Sequence, residues 1–246
     1  MLLSMLTGGG SPRDILISLL LSLPIVLLAL SIHETAHGYV AWKCGDPTAH
    51  NLGRLTLNPA KHLDPMGTLC MLLVGFGWAK PVPINSRYFR KPKRDMALTA
   101  MAGPCANLLL GLIFTLLLGF LSSLYVFLAM KFARLDTVGI TMTYWGYQIC
   151  FMGAYLNFFL MAFNLLPIPP FDGSRFALTF LPTKYYFGLM KYERQIMLGT
   201  LLALLVLSNM FDFSPFGWIA DKLIELVATP IQDLSLKFIF LPLLGK

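Results

Sequence analysis

The 246 residues include 57% hydrophobic and only 13% charged side chains, and the net charge is +7. A soluble domain has about a quarter of its residues charged, so this composition excludes an ordinary soluble protein and indicates an integral membrane protein. Disordered, collagen-like and coiled-coil chains are excluded as well, because the charge is low, glycine is aperiodic and no heptad pattern persists. The four cysteines stand singly and predict no disulfide framework.

Four apolar segments predict membrane-spanning helices, since a span needs about 20 mostly apolar residues. They cover residues 14–42, 96–130, 142–166 and 195–210. Prolines directly after the third segment must end its helix, because proline removes a backbone donor and clashes with the preceding turn. The segment 215–246 is predicted to lie at the membrane interface or to add a fifth span. We therefore expect an all-α integral membrane protein, a polytopic helical bundle of four or five spans that forms a single domain over residues 1–246.

The segment 43–95 between the first two spans is predicted to be a cytoplasmic loop. It holds nine of the 19 basic residues and only three acids. In a membrane protein such a loop faces the cytoplasm and the anionic head groups of the lipid bilayer, so nucleic acid is not an expected partner. The loop 173–195 carries four further basic residues and agrees with this orientation. A multi-pass protein of a prokaryotic plasma membrane is expected.

Two kinds of local structure are predicted inside this first cytoplasmic loop. The apolar run Thr68–Trp78 is too short to cross a bilayer, which indicates a re-entrant or interfacial segment. The runs Arg54–Leu57 and Val82–Asn85 alternate apolar and polar residues between prolines, a pattern that predicts small strands at the membrane surface.

The first predicted span contains His33, Glu34 and His37, and ionisable groups at this depth cost about 2.5–3.5 kcal/mol each. Histidines four residues apart lie on one helix face, so both imidazoles can bind one ion. Glu34 stands beside a ligand, where it can take a proton from a metal-bound water. The same pattern occurs by chance on exposed helices, but an apolar helix favours a metal site. At about 1.5 Å per residue, His37 and His33 lie roughly 9 and 15 Å from Lys43.

A catalytic zinc ion has three protein ligands and one open position, so a third ligand is needed. The other histidines, His50 and His62, lie in the basic loop and are interpreted as surface or packing residues. Asp172 is the better candidate, because the prolines of the turn 167–175 unwind the helix and Gly173 permits a tight turn. The alternative is a loop aspartate that caps the next helix. A depth that matches the two histidines favours the ligand.

A third unusual segment, Ala102–Asn107, lies in the second span at about 13 Å from Arg94. Its small residues allow close approach of helices, and Asn107 offers a hydrogen-bonding amide. The alternative is a simple helix-packing motif. Three helices thus place their unusual residues in one layer near the cytoplasmic side, which is the strongest indication of a functional site.

With these motifs the chain resembles the site-2 protease family of intramembrane zinc metalloproteases, peptidase family M50, in its short form without PDZ or CBS domains. HExxH followed by a distant NxxPxxxxDG is a specific combination, and the resemblance covers about residues 14–175. One departure is Phe171, where family members more often have leucine. The matching segments are His33–His37, Gly103–Asn107, Asn164–Gly173 and the GWAKPVPIN run at 77–85.

The resemblance implies a three-helix catalytic core in which His33, His37 and Asp172 hold one Zn²⁺ per chain. It implies that Glu34 is the general base and that Asn164 positions the substrate or its developing oxyanion, with Asn107 as a secondary candidate. The expected reaction is hydrolysis of a peptide bond within or beside a transmembrane segment of another membrane protein. The active site is expected near the cytoplasmic side of the bilayer.

Two alternatives belong to other classes of protein. A membrane metal transporter also places histidine and aspartate at depth, but it predicts further ligands along the third and fourth spans, which show none beyond Asp172. An inactive protease-like protein that binds client helices usually lacks a motif residue, and all are present here. The identity of the transmembrane substrate and the oligomeric state are left open.

Overall fold

The structure is a computed structural model, and the residues that it describes are 12–74, 79–132, 137–169, 171–182, 192, 195–196, 198–200, 215–235 and 237–238. The fold is all-α throughout these residues, and three helices are long and apolar enough to cross a membrane. The predicted class, an all-α membrane protein, is confirmed.

The three long helices coincide with the first three predicted spans. They are α1 (Pro12–Lys43), α4 (Pro92–Phe132) and α5 (Thr137–Asn164), named in chain order with the short helices described below. Within them, the apolar stretches long enough to cross a bilayer are Leu20–Lys43, Pro92–Lys131 and Val138–Asn164. Helix α5 ends at Asn164, immediately before the segment in which proline would interrupt its hydrogen bonds.

Helix α1 ends in a tight glycine turn that starts the first loop. The Asp46 N–H donates to Ala41 O and the Gly45 N–H to Trp42 O, which satisfies the last carbonyls of the helix. Gly45 has a φ of 111°, a backbone conformation that only glycine adopts without strain.

The first loop contains short helices and no strand among its described residues. These are α2 (Thr48–Asn51), α3 (Pro65–Val74) and the 3₁₀ turns Pro59–Lys61 and Ser86–Tyr88. Helix α3 covers most of the predicted re-entrant segment, whose residues 75–78 lie outside the described part of the chain.

The predicted strands at 54–57 and 82–85 are wrong, and only an isolated antiparallel bridge joins Leu63 to Ala79 in the described part of this loop. Prolines at 81 and 83 have no N–H to donate to a ladder. The N–H groups of Val82 and Asn85 are used by carboxylates instead, those of Glu34 and Asp46. Burial does not follow the alternation either, since Arg54 is buried and Leu57 is 57% exposed.

The chain divides into two compact units, and the first contains residues 1–107 and 163–213. It includes α1, the first loop, the start of α4 and the short helix α6 (Asp172–Thr179). The prediction of one domain over the whole chain stays a prediction.

The second unit contains residues 108–162 and 214–246, including helix α7 (Pro215–Ser235). Its core is apolar, and glycines at 111 and 153 lie against the rings of Phe158 and Phe114, so the helices approach closely. The buried core residues are Leu118, Cys150, Ala154, Phe158, Met161, Ala220 and Ile224.

The last two predicted segments have different outcomes. Most of the predicted fourth span, 195–210, lies outside the described residues. Helix α7 falls in the segment predicted to be interfacial or a fifth span, and its charged residues keep it out of the group of helices apolar enough to cross a bilayer. The charged residues of α7 are Asp221, Lys222, Glu225 and Asp233.

Candidate metal centre

His33 and His37 lie one turn apart on α1, and both are buried, each with 7% of its surface exposed. Their Nε2 atoms are 3.0 Å apart and the two rings meet edge to face. The spacing of four residues brings both imidazoles to the same helix face. The pair therefore presents two nitrogen ligands to one point.

Two hydrogen bonds to helix α4 set the orientation of these imidazoles. The Nδ1 of His33 lies 2.7 Å from Asn107 Oδ1, and the Nδ1 of His37 lies 2.7 Å from the backbone oxygen of Thr99. Both partners are acceptors, so each Nδ1 carries the proton and donates it. Each Nε2 then has a free lone pair, which is the form of histidine that binds a metal.

Asp172 supplies a third acceptor at the same point. Its Oδ2 lies 3.1 Å from His33 Nε2 and 3.2 Å from His37 Nε2. With both imidazoles protonated at Nδ1, neither can donate a hydrogen bond to this oxygen, which is buried and has no hydrogen-bond partner. Three electron-rich atoms in contact repel one another unless a cation lies between them.

These three residues form a group whose ligand atoms lie within 4.8 Å of one another. Two imidazole nitrogens and one carboxylate oxygen are a ligand set that zinc accepts at catalytic sites, with one position left open. The orphaned Asp172 oxygen and the fixed imidazole orientations both fit a bound zinc ion. The structure thus brings together the three ligands predicted from the sequence.

Gly103 on α4 forms one wall of this group. A Cβ atom at this position would overlap with the Nε2 atoms of both histidines. The sequence indicated a packing role for the small residues of this segment. The structure shows that what packs against Gly103 is the ligand face of the imidazoles, so the glycine is needed for space at the metal site.

Asp172 is the first residue of helix α6, and Phe171 precedes it as the N-cap. The expected tight turn at Gly173 is replaced by this helix start, and Gly173 is not among the glycines with positive φ. Its lack of a side chain serves a different need, because a Cβ there would overlap with the backbone of Leu165. This close approach brings the helix start, and with it the carboxylate, next to the end of α5.

Glu34 is held by the first loop. Its Oε2 accepts a hydrogen bond of 2.8 Å from the Val82 N–H. The buried Arg54 fixes the same loop segment, since its Nη2 donates to the backbone oxygens of Lys80 and Pro81 at 2.7 and 3.3 Å. The carboxylate beside the first ligand therefore has a defined position.

The remaining predicted residues lie in several places. Asn164 is the last residue of α5 and is partly buried. His50 stacks on Trp42 at the protein surface, with ring centroids 4.9 Å apart. The Nε2 of the buried His62 donates to Thr56 O. In the described part of the chain, neither of these histidines belongs to the group that could hold a metal.

Four residues that contact the site were not named as individual site residues from the sequence: Thr99, Gly103, Val82 and Arg54. Two of them act through the backbone, as an acceptor at Thr99 and a donor at Val82, and a backbone group leaves no signal in residue identity. A basic residue in a basic loop gives no sign that it is buried. Gly103 lies inside the segment Ala102–Asn107 that the sequence analysis had singled out. The sequence did not show that the imidazoles of His33 and His37 pack against it.

Comparison with known proteins supports the same assignment. The model of Peptidase family M50 matches residues 21–207, which is most of the chain. The zinc metalloprotease YwhC of Bacillus subtilis is 42% identical over 157 residues, covering 64% of this chain and 67% of YwhC. No solved structure matches the chain.

A second relative, the zinc metalloprotease Rip2 of Mycolicibacterium smegmatis, is 32% identical over 162 residues. The match covers 60% of this chain but only about half, 52%, of Rip2. Rip2 of Mycobacterium tuberculosis is 29% identical over 153 residues with similar coverage. All three names specify zinc, the ion that the two histidines and the aspartate fit. The chain therefore belongs to peptidase family M50 and is a zinc metallopeptidase.

Proposed function

We propose that this protein hydrolyses peptide bonds within or beside transmembrane segments of other membrane proteins. In this proposal His33, His37 and Asp172 hold the zinc ion and Glu34 is the general base. The observation that carries it is the set of three converging acceptor atoms inside an apolar helical fold, with a carboxylate on the same turn of α1. A soluble peptidase would not be expected to place its metal ligands in helices that are apolar enough to cross a bilayer.

The depth of the site supports a substrate within the membrane. His37 and His33 precede Lys43, the end of α1, by six and ten residues, or about 9 and 15 Å of helix. Water can reach a site at this depth from the side of the basic loop, which we assign to the cytoplasm of a cell membrane. A transmembrane segment can reach it from the lipid.

Glu34 performs the proton transfers in this mechanism. A bound zinc ion supplies a Lewis acid that polarises the scissile carbonyl and lowers the pKa of the attacking water. Glu34 accepts a proton from that water and later delivers it to the leaving amine. The Val82 N–H bonds to one carboxylate oxygen and leaves the other to receive the proton.

We assign different tasks to the two asparagines. The Oδ1 of Asn107 accepts from His33 Nδ1, which favours a positioning role for this side chain. Asn164 ends the helix that leads to Asp172, and its amide is our candidate for a donor to the substrate or its oxyanion.

The proposal is tested with the full chain purified in detergent. The protein is incubated with transmembrane peptides and with water-soluble peptides that present the same bonds, and the products are mapped by mass spectrometry. We expect cuts inside or next to the apolar stretch of the transmembrane peptides. Cleavage confined to the soluble peptides would refute the intramembrane part. Zinc uptake into proteoliposomes without cleavage would favour the transporter alternative.

Asn107→Ala is expected to weaken zinc binding by about 10- to 100-fold, because outer-shell partners of a ligand histidine contribute this much. Without its acceptor, the His33 ring can rotate or change tautomer. Competition with a chelating dye measures the affinity. Asn157→Ala is the matched control, because Asn157 is equally buried but bonds to Gly153 O of its own helix. Equal losses in both variants would contradict the positioning role.

Val82→Pro is expected to lower kcat by about 10- to 100-fold at unchanged zinc content. It deletes the N–H that holds Glu34, and a hydrogen bond to a charged group contributes about 1.5–3 kcal/mol. Val82→Ala retains the N–H and is the control. If the alanine and proline variants lose activity equally, the activity depends on the valine side chain and not on the hydrogen bond to Glu34.

A further inference from the structure

A surface cavity of about 310 Å³ lies between the end of α1 and the beginning of α4. The metallopeptidase reaction described above uses none of its residues. It is lined by Lys43, Cys44, Arg90, Lys91, Arg94, Asp95 and Leu98.

The cavity has an excess of positive charge, with four cations and one acid. The acid, Asp95, is buried and its Oδ2 accepts from the Lys91 backbone N–H, so it caps the first turn of its own helix. The Lys43 ammonium lies over the rings of Tyr39 and Trp42. In the described parts of the chain, the side chains of Arg90 and Arg94 form no ion pair.

The pKa of the Cys44 thiol also responds to the charged residues of the cavity. Burial and the nearby Asp95 carboxylate raise its pKa, while Arg94 and Arg90 oppose the increase. Both guanidinium groups therefore lie close enough to the thiol to act on it. A thiol with a raised pKa is neutral at pH 7, so it does not offset the cations.

The position of the cavity relative to the membrane identifies the kind of anion. Lys43 is the last residue of one apolar helix, and Arg90–Leu98 covers the start of the next, so the cavity lies where two helices reach the membrane surface. Tyr39 and Trp42 are exposed here, as aromatic residues of the interface are. Leu98, 45% exposed, adds an apolar surface to the lining of the cavity.

We propose that this cavity binds the headgroup phosphate of an anionic phospholipid, with Arg90, Lys91 and Arg94 as the charged contacts and Leu98 beside the start of the acyl chains. Arginine binds phosphate through two parallel hydrogen bonds, and no carboxylate in the described part of the chain forms an ion pair with these guanidinium groups. The excess of cations favours a lipid with net negative charge over a zwitterionic one. This proposal is independent of the peptidase activity.

The test titrates the full chain in detergent with phosphatidylglycerol and with phosphatidylcholine of the same acyl chains, and native mass spectrometry counts the bound lipids. Wild type is expected to bind phosphatidylglycerol more tightly. The double variant Arg90→Gln/Arg94→Gln is expected to bind it about 30-fold more weakly, since each cation near the surface contributes about 1 kcal/mol. The control is Lys61→Gln/Arg87→Gln, which removes the same charge from exposed positions of the same loop.

Several outcomes would overturn the proposal. Equal affinity of wild type for the two lipids would show that charge at the cavity selects nothing. Equal losses in the double variant and its control would mean that the lipid responds to the general charge of the loop. Glycerol 3-phosphate that competes at the same concentration as the lipid would identify a free phosphate as the ligand. The single variants Arg90→Gln and Arg94→Gln, each with a smaller expected loss, apply the same test if the double variant does not fold.

Discussion

Glu34→Gln protein is expected to bind zinc as tightly as wild type and to cleave transmembrane peptides about 10²- to 10⁴-fold more slowly, the usual contribution of a general base. Glutamine has the shape of glutamate and retains an oxygen that can accept from the Val82 N–H. The loop and the ligands should therefore keep their positions. What is lost is an oxygen basic enough to take a proton from water.

The measurement needs both zinc content and cleavage rate from the same preparations. Glu225→Gln is the matched control, because it makes the same change at an exposed carboxylate that pairs with Lys222. The control should cleave at the wild-type rate. If Glu34→Gln also cleaves at that rate, Glu34 is not the base. If it loses its zinc, the residue supports the metal site and its chemical role is unproven.

Gly103→Ala is expected to reduce zinc affinity by about 10- to 100-fold. The new Cβ would overlap with the Nε2 atoms of both histidines, and overpacking of this kind costs about 1–3 kcal/mol or more. The imidazoles cannot simply turn away, because hydrogen bonds to Asn107 and Thr99 hold them from behind. A single methyl group should therefore displace the ligands from the metal.

Gly146→Ala is the control for this substitution. Gly146 also lies within a long helix, but a Cβ there meets only the flexible end of Leu121 at 3.3 Å. The Gly146→Ala variant should retain zinc and can gain stability from alanine's higher helix propensity. Circular dichroism and gel filtration check that both variants are folded. Full zinc binding by folded Gly103→Ala protein would contradict the geometry of the site.

The group of residues that could hold a metal was predictable because its information is local. His33 and His37 are related by helical spacing alone, which fixes their common face before any packing is known. Asp172 was inferred from a broken helix at a matching depth, and the structure brings its Oδ2 to both imidazoles. The sequence analysis expected Gly173 to form a tight turn that places Asp172. In the structure Gly173 has no positive φ and instead allows close contact with the backbone of Leu165.

The first loop shows where such reasoning failed. Alternation at 54–57 and 82–85 predicted strands, but the structure has neither. A pattern of side chains carries no information on which acceptor a backbone N–H will find. At Val82 that acceptor is Glu34, a residue 48 positions earlier in the chain. Most of the predicted fourth span lies outside the described residues and stays a prediction.

The sequence by itself determined the membrane class, the first three long apolar helices and the three residues that could hold a metal, because composition, helical periodicity and proline position act over short distances along the chain. Only the tertiary structure decided the environment of those ligands. Helix α4 supplies Asn107, the Thr99 carbonyl and the space at Gly103, and the first loop supplies the Val82 N–H. These are contacts between segments far apart in sequence, two of them through the backbone, so they exist only once the helices and the loop have packed.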